Sequence, residues 1–326
     1  MNRNPSTLLP VTATLLFAGL TLLAPVEATA WPERTVRVIM PNPPGTGLDV
    51  VARLFAERLA ARWRQPVIVE NIPGADGNIA AREFAAKRDN HTLLYSFPGL
   101  ITINPRMYEK LPFDPARDLV PIASTSDNFV AIAASGSLKV DTLATLVQLA
   151  RTRGGRLNWA ATPGVPFFAF AGLQKGVGVD MVQVGYRDFN QAIVDLGEGR
   201  IDAVASGVAP LRPHVETGKV RLLAFVNRQR APFAPEVPTV AEAGYPDLTF
   251  DAVTGFFGWR DMPAELRERI AANVREIASD PAVHGRLIKM GSVARGSTPA
   301  EFAAAIEEQR VKVASIARAM AKNPAQ

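Results

Sequence analysis

Two proline- and glycine-rich loops constrain this chain most: Pro43-Pro44-Gly45-Thr46-Gly47-Leu48-Asp49 and Pro73-Gly74-Ala75-Asp76-Gly77-Asn78. Each follows a short apolar run of β character and precedes a run with helical spacing. A strand that passes into a helix through glycine leaves the N–H groups of the first helical turn free at the strand's carboxyl end. The positive end of the helix dipole lies behind them. Two such loops in one sheet form paired anion cradles that can hold a carboxylate. The plainer alternative is that Gly45, Gly74 and Gly77 only supply the positive φ of their turns.

The runs around the loops predict the fold class. Residues 35–40 read as a β-branched strand, and 48–63 as a helix with Leu48, Val51, Phe55 and Leu59 on one face. The unit repeats, with a strand at 66–70, a helix at 78–87 and a third strand at 93–96. Three parallel strands with helical crossovers make an open α/β sheet, whose ligands sit outside the carboxyl ends of the strands. Further on, strands are expected at 129–134, 157–160, 181–184, 201–205 and 220–225, with helices at 143–151 and 190–196. A third loop, Thr162-Pro163-Gly164-Val165-Pro166, opens an apolar segment over 167–173. The tail is helical, with Pro263 as a first helical residue, a stripe of Leu266, Ile270, Val274 and Ile277, and another of Phe302, Ile306, Val313 and Ile316. The expected architecture is two α/β lobes: 31–128 plus 250–326, and 129–249.

Residues 1–30 carry one base, Arg3, then an uncharged apolar stretch over 15–26, and close on Ala28-Thr29-Ala30. That is the pattern of a secretory signal peptide cleaved after Ala30. Its apolar run is interrupted by Thr21 and Pro25 and is too short for a membrane span. With no cysteine, neither disulfides, thiolate metal sites nor a lipid anchor on an N-terminal cysteine can form. A free periplasmic protein is expected. The net charge of +5 suits the steering of an anion, but the Lys and Arg residues are scattered, and no nucleic-acid partner is expected. His91, His214 and His284 are widely spaced, and no Gly-x-Ser-x-Gly elbow or Gly-Lys-Ser/Thr phosphate loop occurs. No catalytic residue, cofactor or metal is therefore expected.

In order along the chain come Trp31-Pro32, Pro43-Pro44-Gly45 with Asp49 and Ala52-Arg53, Gln65-Pro66-Val67 to Asn71, Pro73-Gly74-Ala75, Gly77-Asn78 and Thr92-Leu93-Leu94. Leu111-Pro112-Phe113-Asp114-Pro115, Val184-Gly185-Tyr186, Gly199-Arg200-Ile201-Asp202, Gly218-Lys219-Val220-Arg221 and the run Val237-Pro238-Thr239 to Gly244 follow. In this order they resemble the substrate-binding proteins of tripartite tricarboxylate transporters, the Bug family. The resemblance implies a type II-like periplasmic binding protein whose lobes, joined by crossing strands, close as a monomer on a small organic carboxylate and deliver it to membrane permease subunits.

Carried over residue by residue, the resemblance places the ligand's proximal carboxylate at Pro44, Gly45, Thr46 and Asp49, and at Gly74, Ala75, Gly77 and Asn78. Thr162, Gly164, Tyr186 and Asp202 would face its distal end. Some positions depart from the family pattern: Thr46 stands where a second glycine is usual, Asn42 replaces an aromatic residue and Ala80 a glycine. Pro163 to Phe168 and Arg187-Asp188 also differ. Each site residue has a structural alternative: Asp49 as an N-terminal helix charge, Asn78 as a cap, Tyr186 as packing, Asp202 as a strand terminus, Arg187 as the partner of a solvated aspartate. Phe167, Phe168 and Phe170 serve either an apolar ligand body or the core. Two other functions remain open: a receptor presenting its closed form to a sensor protein, and an exported hydrolase.

Overall fold

The computed structural model describes Met1 and residues 31–322, so the expected signal peptide lies, apart from Met1, outside the described residues. The first lobe opens with β1 (Val36–Met40), α1 (Gly47–Trp63), β2 (Val67–Asn71), α2 (Asn78–Lys87) and β3 (Thr92–Ser96). Two short helices, α3 (Gly99–Thr102) and α4 (Asn104–Met107), lead to the long strand β4 (Val120–Asn128). The second lobe contains β5 (Val130–Ser135), α5 (Leu143–Arg153), β6 (Asn158–Ala161), α6 (Val165–Val177), β7 (Val182–Gln183), α7 (Phe189–Gly197), β8 (Ala203–Gly207), α8 (Arg212–Glu216) and β9 (Val220–Phe225). The chain then returns through β10 (Val253–Gly258), α9 (Ala264–Ala278), α10 (Pro281–Lys289), β11 (Ser292–Ala294) and α11 (Pro299–Lys322).

The six-stranded sheet runs β11-β4-β10-β3-β1-β2, and the five-stranded sheet β7-β6-β8-β5-β9. β1 pairs in parallel with both β2 and β3, as the strand–loop–helix repeat predicts. Apolar side chains fill both faces of each sheet. Phe55, Leu59, Ile270 and Val274 lie on one side of the first, and Phe84, Phe257 and Phe302 on the other. The tail stripe Leu266, Ile270, Val274 and Ile277 is wholly buried, each such side chain contributing about 1.5–3 kcal/mol. Pro263 caps α9 instead of occupying its first turn. No described helix is long and apolar enough to cross a membrane.

Strands β4, β10 and β11 and helix α10 have no counterpart in the sequence reading. β4 is rich in Ser and Thr yet buried from Ile122 to Asp127, because its hydroxyls find partners. The Tyr95 hydroxyl bonds Thr125 Oγ1 at 2.7 Å and Thr254 Oγ1 at 3.1 Å, and Ser126 Oγ bonds Thr254 Oγ1 at 2.8 Å. Burial pushes the Tyr95 phenol up to about 12.

Topology makes the carboxyl ends of the two sheets face each other. β4 and β3 both run antiparallel to β10, so Asn128 ends at the same edge as Ser96. One residue later β5 begins, and Val130 pairs with Gly207 at the carboxyl end of β8. The crossover therefore joins like edge to like edge. Buried Asn227 pins it: Nδ2 donates to Asp127 Oδ1 and the Asn128 carbonyl, and Oδ1 accepts the Val130 N–H. The return strand lies alongside, with Asn128 N donating to Ala252 O and Phe250 N to Val226 O. Helix α11 spans both lobes, its Phe302 and Ile306 in the first core and its Val313 and Ile316 against the second.

Candidate functional site

Asp49, the third residue of α1, organises the first loop. Its carboxylate is buried, 2 % exposed. It accepts the Gly45 N–H at 2.9 Å, Arg53 Nε at 3.0 Å and Asn71 Nδ2 at 2.8 Å. Burial alone would raise its pKa, but the hydrogen bonds from Arg53, Asn71 and Gly45 outweigh it and hold the carboxyl below the usual carboxylate range. Asn71, at the end of β2, also donates to the Asn42 carbonyl at 2.8 Å. Thus one carboxylate and one amide clamp both ends of the loop. Pro44 and Gly45 are exposed beyond them, Gly45 with φ +81°. Thr46 has extended backbone at φ −70°, so this position has no need of glycine, and its hydroxyl donates to the Pro43 carbonyl at 2.9 Å.

The second loop is strained. Gly74, Ala75, Asp76 and Gly77 all have positive φ, at 129°, 47°, 51° and 88°. Two of these are non-glycine residues in the left-handed region, each costing on the order of 1 kcal/mol. Side chains from α4 and its end hold the strain in place. Asn104 Nδ2 donates to the Asp76 carbonyl at 3.0 Å and to Asn78 Oδ1 at 2.7 Å, and the Tyr108 hydroxyl donates to Asp76 Oδ2 at 2.6 Å. That last bond raises the Tyr108 phenol to about 12. Asn78 is buried and its carbonyl oxygen is occupied by Asn104, so Gly77, not Asn78, is the cap residue of α2.

The two loops lie side by side. A β-carbon at Gly77 would come within 3.0 Å of Pro41 Cβ and 3.1 Å of Leu100 Cδ2. Across the crossover, the third loop reaches the first lobe at Gly164, where a β-carbon would meet Ile103 Cδ1 at 3.9 Å. Gly164, with φ +94°, caps α6, and the Thr162 N–H donates to Ala205 O at 3.1 Å. Pro44, Gly45, Thr46, Gly74, Ala75, Gly77, Thr162 and Gly164 are therefore gathered at facing carboxyl edges. Tyr186 belongs to the same edge by its place after β7, but its hydroxyl donates to Asp195 Oδ2 at 2.9 Å.

Asp202 is not brought to this place. It pairs with Asn158 at the amino ends of β8 and β6, where Oδ2 accepts the Asn158 N–H at 2.7 Å and its own N–H donates to Asn158 Oδ1 at 2.8 Å. The carboxylate thereby staples two strand starts, several residues of strand away from Thr162. Phe168 and Phe170 lie in the core, Phe170 stacked on Trp159 with ring centroids 4.5 Å apart, while Phe167 is half-buried beside them. Asn104 and Tyr108, which shape the second loop, carry no local sequence signal. Phe97, the large half-exposed residue directly after β3, follows the same strand-end logic as the two loops. A cavity of about 210 Å³ lined by Ser124, Arg295, Ser297 and Glu301 lies beside α11, away from all three loops.

The model of the tripartite tricarboxylate transporter family receptor matches residues 51–321. A UPF0065 protein of Bordetella bronchiseptica is 32% identical over 306 residues, covering 92% of this chain and 90% of that protein. Protein BugT of Bordetella pertussis is 27% identical over 303 residues, covering 91% and 92%. Among solved structures, R. palustris Rpa4515 with adipate superposes with a TM-score of 0.78 at 26% identity, covering 89% of this chain and 98% of that one. MatC from Rhodopseudomonas palustris with bound malate gives 0.74 at 27% identity, covering 88% and 100%. By sequence along nearly its whole length and by fold, the chain belongs to the tripartite tricarboxylate transporter receptor family, the Bug family of periplasmic solute-binding proteins, which are not enzymes.

Proposed function

We propose that this protein captures a small organic carboxylate between its two lobes and delivers it to the membrane subunits of a tripartite tricarboxylate-type permease. The observation that carries this reading is the run of four positive-φ residues at 74–77, clamped by Asn104 and Tyr108, beside a first loop clamped by Asp49. Backbone strain held this firmly marks a functional loop. Backbone donors fixed in advance bind a carboxylate without ordering any side chain. That the related Rpa4515 and MatC are bound to adipate and malate supports the same class of ligand.

In this reading the lobes are residues 31–128 with 250–326 and residues 129–249, the signal peptide is removed after Ala30, and the protein acts as a monomer. The carboxylate settles over Pro44, Gly45, Thr46, Gly74, Ala75 and Gly77, of which Gly45 and Gly77 shape the loops because their N–H groups are bonded to Asp49 and to the Gly74 carbonyl, with Asp49 and Asn78 supporting the loops from behind. Thr162 and Gly164 close over its other end. Closure bends the crossover near Asn128 and Asn227, and the ligand shifts the balance by no more than its difference in affinity for the two states. Small-angle scattering tests capture: the radius of gyration falls when a bound acid is added, and an unchanged radius contradicts closure. Uptake of that acid by cells tests delivery. Deleting the permease genes should abolish it, and undiminished uptake contradicts the role.

A further inference from the structure

We infer that the distal half of this site is built for an apolar body, so that the protein selects a monocarboxylate with an aromatic or aliphatic tail over a dicarboxylate of equal length. The inference rests on the carboxylate reading of the first two loops and adds the chemistry of the opposite wall. A second carboxylate there would need donors or a positive helix end. The second lobe supplies little of either beyond the Thr162 hydroxyl, the remaining N–H groups of the α6 start and Arg187.

Helix α6 starts at the edge of the site with Val165 and Pro166, both buried, and Phe167, half-buried beside Trp159. Pro166 has no N–H, so one of the donors that a helix start offers is missing, and the side chains around it are hydrocarbon. Helix α7, which starts at the same edge, already carries its own anion: Asp188 caps it by accepting the Asn190 N–H at 3.0 Å. A ligand carboxylate arriving there meets a like charge. The Tyr186 hydroxyl is spent on Asp195. On the first lobe, Phe97 follows β3 at the ligand edge with 39% of its surface exposed, and Ile79, 38% exposed, lies over Gly74 with Cδ1 2.7 Å from where a β-carbon would stand. Large apolar side chains left in water at a strand edge gain when a ligand covers them. Arg187 is the one cation of the 185–188 loop and the residue through which a diacid would have to be held.

Calorimetric titration of the protein purified from the periplasm, with hexanoate, 3-phenylpropanoate, adipate and hexanamide, separates the possibilities. The expected result is binding of the two monoacids at least about tenfold tighter than adipate, because an unpaired buried carboxylate is costly, with hexanamide weaker than hexanoate. Phe97→Ser should weaken 3-phenylpropanoate about fivefold and leave adipate unchanged, whereas Pro166→Ala, which restores a donor, should tighten adipate. Adipate binding as tightly as hexanoate, and losing that affinity in Arg187→Ala, overturns the apolar wall and leaves the carboxylate reading standing. Hexanamide binding as tightly as hexanoate overturns both.

Discussion

At the residue scale, the side chains that matter most for the site are those that hold the backbone. Asp49 satisfies three donors from inside the fold, so Asp49→Ala should cost about 1–3 kcal/mol of stability, read by urea unfolding, and should also weaken carboxylate binding. Unchanged stability would contradict its clamping role. Its pKa is lowered in the native state, so its contribution is complete above the ordinary carboxylate range and is lost as pH falls through the lowered native value. Gly77 has φ +88° and no room toward Pro41 and Leu100. Gly77→Ala should therefore cost about 1–3 kcal/mol and displace the second loop. Calorimetry and unfolding on the same variant check both effects. The strand–glycine–helix pattern made these loops legible in the sequence, down to Gly45, Gly74 and Gly77. It could not show how each polar group is spent, because those bonds come from distant positions: Asn104 holding Asn78, Asn158 holding Asp202.

At the element scale, strands and helices with regular apolar spacing were legible, often to within a residue, as with α2 and β9. Of those missed, β11 is short and β4 is polar and buried together, whereas β10 and α10 match the legible β9 and α7 in length. β4 is the clearest case, since its Ser and Thr hydroxyls resemble a loop until Tyr95 and Thr254 are beside them. The end of β4 also carries a titrating group. Burial first, and the neighbouring Asp251 carboxylate second, push Asp127 up to about 7, against the pull of Arg295 3.3 Å away. An acid with a raised native pKa keeps a proton that the unfolded chain releases near pH ~4. Stability contributed by that proton therefore falls between about pH 4 and 7, and the penalty is complete above 7. Asp127→Asn should flatten this slope, so that its melting temperature rises relative to the parent between pH 5 and pH 8. Parallel pH profiles would contradict the assignment. Where α6 crosses α11, Gly172 allows close approach: a β-carbon would stand 3.0 Å from both Ile316 Cδ1 and Leu248 Cδ2. Gly172→Leu should destabilise by about 1–3 kcal/mol, measured by thermal unfolding.

At the scale of the whole molecule, two α/β sheets meet at their carboxyl edges because β4 hands the chain directly to β5 at that edge. The paired sheets were legible from the repeated strand–loop–helix unit and from the family resemblance. The path of α11 was not, since one amphipathic stripe reads the same whether it covers one core or two. The central claim is that the two loops of the first lobe recognise a carboxylate. Its most direct test is a thermal-shift series of small mono-, di- and aromatic carboxylates, each beside its amide, because a ligand that binds only the native state raises the midpoint by mass action. The account predicts at least one acid that raises the midpoint and whose amide does not. Amides that shift it equally, or a series in which no acid shifts it, would contradict the account.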